Sequence, residues 1–442
     1  MRPISRRSML GGSAALAVAA TLAACSNGSS SGSESGVYLL NFKPEAEEAL
    51  KTIASAYKDK AGVEVKIVTA ASGTYQETLQ TEVAKSNPPT IFNLNGPVGL
   101  ATWKDYALDL SDTEFVKALT DASMALADEN GVVYGSPLGI EGYGLIYNAA
   151  ILNKYFAMEG AKVKSVDEIK GFAKLKEVVE DMQAKKADLG IEGAFACTSL
   201  TSGEDWRWQT HLANYPVFYE FRDKGVTDAK EVDLTYSDNY KQIFDLYLNN
   251  STVAPSAAAA KTVTDSMADF ALGKCAFVQN GNWAWSQISE VEGNTVAEGD
   301  IHFMPIYIGV NGEEKSGIAL GTENYLAVNS QVSETAQKAS IDFLNWLLTG
   351  EGAKMLVDNS VVSVSPYPAF SELTPADPLG KETAEFLANQ ELYPINWVFQ
   401  TFPSQEFKNQ LGSHLAQYAS GKEDWSAVKE YFVTTWKSEK SA

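Results

Sequence analysis

Histidine and cysteine are nearly missing from this chain, three of each among 442 residues. His211, His302 and His414 stand far apart, and no H-E-x-x-H, C-x-x-C or calcium-loop spacing occurs, so no metal is expected. Each Gly-Lys step is followed by the wrong residue for a phosphate loop: Cys275 after Lys274, Glu382 after Lys381, Glu423 after Lys422. No nucleotide site and no cofactor are expected. Basic charge is also short, with 35 Lys and Arg against 56 Asp and Glu and a net charge of −21. Such a surface repels nucleic acid and anionic lipid, which excludes nucleic acid as a partner. Met9 to Ala24 is apolar, but too short and alanine-rich for a membrane-spanning helix, which needs roughly 20 apolar residues.

What is present begins with a leader. Arg2, Arg6 and Arg7 precede the apolar stretch, which ends in Leu22-Ala23-Ala24-Cys25. This resembles the lipobox of a bacterial lipoprotein precursor, and the arginine pair is partly similar to a twin-arginine export signal. Residues 1–24 are therefore read as a signal peptide and Cys25 as a lipidated N-terminus. SNGSSSGSESG, 26–36, completes a flexible tether of residues 25–36. Its G-x-S-x-G match lacks the strand and helix that a serine nucleophile requires. Cys197 and Cys275 read as two buried thiols, and pairing between them stays open.

About 410 residues remain, enough for two domains or lobes. GVYLLNF, 36–42, reads as a strand, followed by Ala46, Ala49, Leu50, Ile53, Ala54 and Tyr57 at helical spacing. Gly62 ends that helix. Val63, Val65 and Ile67 alternate as a second strand, a helix spans about 77–85, and Thr90 to Leu94 is a third strand. This β-α-β-α-β order predicts a parallel sheet with ligands at the carboxyl ends of its strands. The loops there are Asn41 to Lys43, Ala71 to Tyr75 and Asn93 to Gly96. VVYGSPLGIEGYGLIYN, 132–148, is a glycine-punctuated strand suited to crossing between lobes. Helices are expected over 164–186, 205–224 and 236–248, a strand over 276–279, a crossover over 301–308, and mainly helix from Ser333 onward.

GIEGYGLIYN at 139–148, ADFALGKCAFVQNGNWAW at 268–285, GTENYLAVN at 321–329 and FLNWLLTGEGAKML at 343–356 occur in this order after the lipobox. Together they resemble the extracellular solute-binding proteins of carbohydrate ABC importers, the class that includes the maltose-binding protein. The resemblance covers the mature chain. It implies an α/β, two-lobed periplasmic-binding-protein-like fold of type II character, each lobe a sheet flanked by helices, with three hinge crossings. Lobe one would be 37–140 plus 303–358, and lobe two 141–302 plus 359–442. The hinges would lie near 139–142, 300–304 and 358–362.

A sugar offers hydroxyls to carboxylates and amides and an apolar ring face to aromatics. The resemblance places Trp283 in the cleft through the turn Asn280-Gly281-Asn282-Trp283, with Asn282 beside it. It places Glu141 on a sugar hydroxyl and Trp206 as a stacking ring of lobe two. Trp206, Trp208 and His211 lie close in sequence, and helical geometry allows at most one ring to reach the cleft. Glu323 and Asn324 lie in a loop near the hinge. Lys43, Glu45, Ser72, Tyr75, Asn93 and Asn95 are the lobe-one candidates, with Tyr367 and Trp397 as more distant aromatics. Trp285, Trp103, Trp346, Trp425 and Trp436 are expected to pack.

The expectation is a non-enzymatic, monomeric receptor on the outer face of a bacterial cytoplasmic membrane, anchored through the lipid on Cys25. It would deliver a carbohydrate, an oligosaccharide, to ABC permease subunits driven by a separate ATPase. The alternatives are a secreted glycoside hydrolase lipoprotein and a receptor for a peptide or polyamine.

Overall fold

The computed structural model describes residues 36–71 and 73–441. The leader, Cys25, most of the tether and Ser72 lie outside the described residues.

Two sheets organise the chain. Val37–Asn41 (β1), Val65–Thr69 (β2) and Ile91–Asn95 (β3) pair in parallel around β1. Leu126–Ala127 (β4), Val133–Pro137 (β5) and, much later, Asn324–Val328 (β10) complete this sheet in the order β2-β1-β3-β10-β5-β4. Both faces of β1 are covered: Val37 and Leu39 enter one core, Tyr38 and Leu40 another. That is why its sequence is continuously apolar rather than alternating. The helix Glu47–Ala61 buries Leu50, Ile53, Ala54 and Tyr57, and Gly62 ends it in the left-handed conformation, as the spacing predicts.

The second sheet is built on Glu141–Asn148 (β6). It pairs antiparallel with Phe277–Gly281 (β7) on one edge and with Ile301–Met304 (β8) and Ser316–Gly321 (β9) on the other. Tyr393–Asn396 (β11) adds to β9 in parallel. The largest core lies on this sheet, holding Trp208, Trp425 and Trp436. Cys197 and Cys275 are buried free thiols.

The sheets correct the expected lobe boundaries. Phe303, Met304 and all of β9 pair with β6, so residues 303–321 belong to the second sheet rather than the first. The second crossing is therefore Thr322-Glu323, between β9 and β10, and not 300–304. Val361, Val362, Tyr367 and Phe370 pack into the first sheet's core, whereas Leu379 packs under the second. The third crossing follows Phe370 instead of lying at 358–362. Only the first, between Pro137 and Glu141, falls where the glycine pattern puts it. Ile140 and Val364 bridge there, and the Ser365 hydroxyl donates to the Leu138 carbonyl.

Candidate functional site

Strand ends and loops from both lobes meet in one cleft. From lobe one come the turn after β1, which carries Lys43 and Glu45, the loop before the helix Tyr75–Val83, and Asn95 at the end of β3. From lobe two come Glu141 at the start of β6, the turn after β7, and the segment from Gly203 to Leu212. The lobes are closed on each other. Lys43 is ion-paired with Glu141, and their side chains are only 11% and 15% exposed. Asn95 Nδ2 donates to Gln405 Oε1 at 3.4 Å across the cleft.

Trp283 is the centre of an aromatic group. Its ring lies 5.9 Å from Trp206, 5.9 Å from His211 and 6.1 Å from Tyr143, with the Lys43 ammonium 5.5 Å away. Local sequence explains its pose. A Cβ at Gly281 would overlap the indole, so the glycine at the end of β7 lets the ring fold back over the strand. The helix Ala284–Ser289 begins at once, so Trp283 and Trp285 diverge. Trp283 packs toward the second lobe's main core, and Trp285 toward a separate cluster around Met267 and Ile288.

The expectation that at most one ring from 206–211 reaches this place is corrected. Arg207–Leu212 winds as a π-helix, in which residues five apart become neighbours. Trp206 and His211 thus share a face, their rings 5.3 Å apart, while Trp208 turns into the core against Phe244 and Tyr247. Pro216, inside the following helix, has no N–H for the Leu212 carbonyl, and a widened turn before it relieves the clash. His211 stacks on Tyr143 at 4.2 Å and also meets Trp397 and Phe399. Burial, then the charges of Arg207 and Lys408, hold its pKa well below the ordinary histidine value, so it is neutral.

Six charged side chains line this space. Burial disfavours the Lys43 ammonium, but Glu141 and Glu45 outweigh it and raise its pKa. Burial raises Glu45 and Glu323 above the usual carboxylate range, with Lys43 and Lys408 offsetting part of the effect. Lys408, 3% exposed, pairs with Glu323 at 3.5 Å. Arg207 completes the set and has no ion pair among the described residues.

Other expected site residues are engaged elsewhere. Tyr367 is a correction: it is 1% exposed in the first lobe's core, bonded to the Ser136 hydroxyl at 2.7 Å and the Pro137 carbonyl at 3.0 Å. Tyr75 accepts from the Asn93 amide at 2.6 Å, and Asn93 Nδ2 donates to Asn324 Oδ1 at 2.5 Å, so this trio braces the β3 end. Asn282 ties the hinge, accepting from the Gly142 amide at 3.0 Å and donating to Ser363 at 3.2 Å. Trp397 is buried behind His211, its indole N–H without a partner among the described residues. A narrow cavity beside the hinge is lined by Lys43, Glu141, Asn282, Asn324 and Ser363. Sequence reasoning did not select Arg207, His211 or Lys408 as site residues. The proline in the 205–224 stretch is the one signal that could have marked the π turn.

Closure also depends on two glycines at the cleft mouth. A Cβ on Gly73 would lie 2.9 Å from the Gly203 carbonyl oxygen, whereas one on Gly203 would find its nearest neighbour, Gly73 O, at 3.4 Å. Both have positive φ, 73° and 86°. Alanine at either costs about 1–2 kcal/mol of backbone strain, but only Gly73→Ala also props the lobes apart. Gly73→Ala is expected to weaken ligand binding by about 10-fold (~1.4 kcal/mol), and Gly203→Ala by much less. Calorimetric titration of the two variants checks this, and equal losses would assign the effect to strain alone.

The family described as bacterial extracellular solute-binding protein matches residues 52–384. No curated protein sequence matches the chain. Among solved structures, a chitin oligosaccharide binding protein is similar at 18% identity and a TM-score of 0.71, over 92% of this chain and 99% of that one. Maltose-bound MalE3 of T. maritima is similar at 16% identity and a TM-score of 0.67, over 91% and 99%. A Bacillus licheniformis sugar transporter in complex with stachyose is similar at 18% identity and a TM-score of 0.62, again over 91% and 99%.

Proposed function

The chain belongs to the bacterial extracellular solute-binding protein family, whose members bind solutes and are not enzymes, and on that premise we propose that its solute is a carbohydrate. The observation that carries this reading is the juxtaposition of Trp283, Trp206 and the Lys43–Glu141 pair between closing lobes. Indole faces suit the C–H face of a sugar ring, and the charged pair suits its hydroxyls. The extent of the cleft, from Asn95 and Gln405 to the hinge at Asn282, suits an oligosaccharide. The similarity to a chitin oligosaccharide binding protein and to maltose-bound and stachyose-bound proteins supports the same class.

Binding then works by population shift. The ligand contacts both lobes only when they are closed, so it favours the closed form by the difference in its affinity for the two states. The closed receptor, a monomer, presents its cargo to an ABC permease. Energy comes from a separate ATPase, and a lipid on Cys25 holds the receptor at the outer face of the membrane.

A thermal-shift panel of neutral and acidic oligosaccharides, peptides and polyamines tests the reading. A ligand at one hundred times its Kd is expected to add about 2.7 kcal/mol of stability. Stabilisation by a carbohydrate and by no peptide or amine is the expected result. A response to an amine or peptide alone overturns it, and turnover of an oligosaccharide would favour a hydrolase.

A further inference from the structure

Within that carbohydrate reading, we infer that Arg207 is a binding residue for a carboxylate on the ligand, which makes the preferred cargo an acidic, uronate-bearing oligosaccharide.

Charge pairing in the cleft leads there. Lys43 is matched by Glu141 and Lys408 by Glu323, which leaves Arg207 and Glu45 over. Glu204 acts on Arg207 more strongly than Glu45 does, but its carboxylate accepts from the Val263 amide and forms no ion pair with Arg207 among the described residues. Arg207 and Glu45 do not approach within ion-pair distance of each other, though each charge is felt by the other across the cleft. Burying a charge without a counter-ion is unfavourable, so a guanidinium in this state is poised for an incoming anion.

The geometry says which part of Arg207 is available. Its residue is 2% exposed. One face of the guanidinium lies over the Trp206 ring, 3.8 Å from the centroid, and Nε donates to Asn280 Oδ1 at 3.1 Å. Nη1 is buried without a partner among the described residues, where Nε makes the side chain's one hydrogen bond and Nη2 makes none. With the face and Nε held, the free edge is the Nη1–Nη2 fork. Two parallel N–H groups in a plane match the two oxygens of a carboxylate. A hydroxyl would satisfy only one of them. A phosphate, carrying nearly two charges, meets stronger repulsion from Glu45, Glu141 and Glu323, so a singly charged carboxylate fits better.

The arrangement also revises Trp206. Arg207 covers one face of its indole, and the Trp283 ring stands 5.9 Å from it. A uronate residue could then stack on Trp206 or Trp283 while its carboxylate reaches the fork, so ring and charge are recognised together.

The test uses matched pairs that differ in charge: trigalacturonate with its methyl ester, and a glucuronate-substituted xylo-oligosaccharide with the unsubstituted one. Isothermal titration of the wild-type protein is expected to show the acidic member of at least one pair bound about 10–100-fold more tightly. Arg207→Gln is expected to remove that preference while leaving the neutral member's affinity within about threefold. Arg207→Lys keeps the charge without the fork and is expected to fall between, and it serves if the glutamine variant does not fold. Equal or tighter binding of the neutral members by the wild type, or a preference that survives in Arg207→Gln, overturns the inference and leaves the carbohydrate reading standing. Binding of neither kind of sugar overturns both.

Discussion

Trp283→Ala is expected to lower carbohydrate affinity by about 100-fold, or ~2.7 kcal/mol, with the unliganded protein still folded. The position of the indole accounts for both effects. It closes the lobe-two side of the cleft, against Trp206, His211 and Tyr143, and is only partly buried. Removing it deletes the apolar platform but leaves β7 and its neighbours intact, because the strand is held by five residue pairs with β6 from Tyr143 to Tyr147. Calorimetric titration and a melting curve separate the outcomes. Loss of folding with loss of binding would make Trp283 a core residue. Trp285→Ala is the control: that ring packs against a different cluster, so it should cost stability and spare affinity.

Glu141→Ala is expected to have the second large effect, on both closure and binding. Glu141 is the counter-ion of Lys43, and the pair joins the lobes. Breaking a buried pair by removing one partner costs about 3–5 kcal/mol. Here that is an upper bound, because the lobes can part and let water reach Lys43. The unliganded variant should therefore be more open, with a larger radius of gyration in solution scattering. Affinity should fall by about 100-fold or more, since the ligand must repeat the closing work without the carboxylate. Replacing both partners, Lys43→Met with Glu141→Met, removes the stranded charge and is expected to restore compaction but not binding. A double variant as open as the single one would show that the pair does not hold the lobes together.

Much of the first lobe was legible from local pattern. The helix 47–61 and the three parallel strands depend on spacings within a few residues: Leu50, Ile53, Ala54 and Tyr57 on one face, Gly62 at the stop, apolar runs where both strand faces are covered. The divergence of Trp283 and Trp285 was legible for the same reason, since it needs only a helix starting after the turn. The lobe boundaries were not. β9 and β10 are separated by two residues, Thr322 and Glu323, yet pair in different sheets. Both are apolar strands, and nothing within either one specifies its partner. Tyr367 misled in the same way, because an aromatic in a polar stretch does not disclose which side it faces.

Composition and motif order alone determined that the protein is acidic and that it has the two-lobed α/β fold of an extracellular solute-binding protein. The charge follows from residue types, the individual helices and strands from periodicities that act over one or two turns or strands, and the two-lobed fold from the resemblance that the ordered motifs carry. Only the tertiary structure decided which charges meet: Lys43 with Glu141 across 98 positions, Glu323 with Lys408, and Arg207 with none among the described residues. Pairing of this kind is set by how far the lobes close and by a π turn that rotates Arg207 and His211 relative to an α-helical register. Both are properties of packing between distant segments, where Coulomb energies depend on separations of a few ångströms that no spacing in the sequence records.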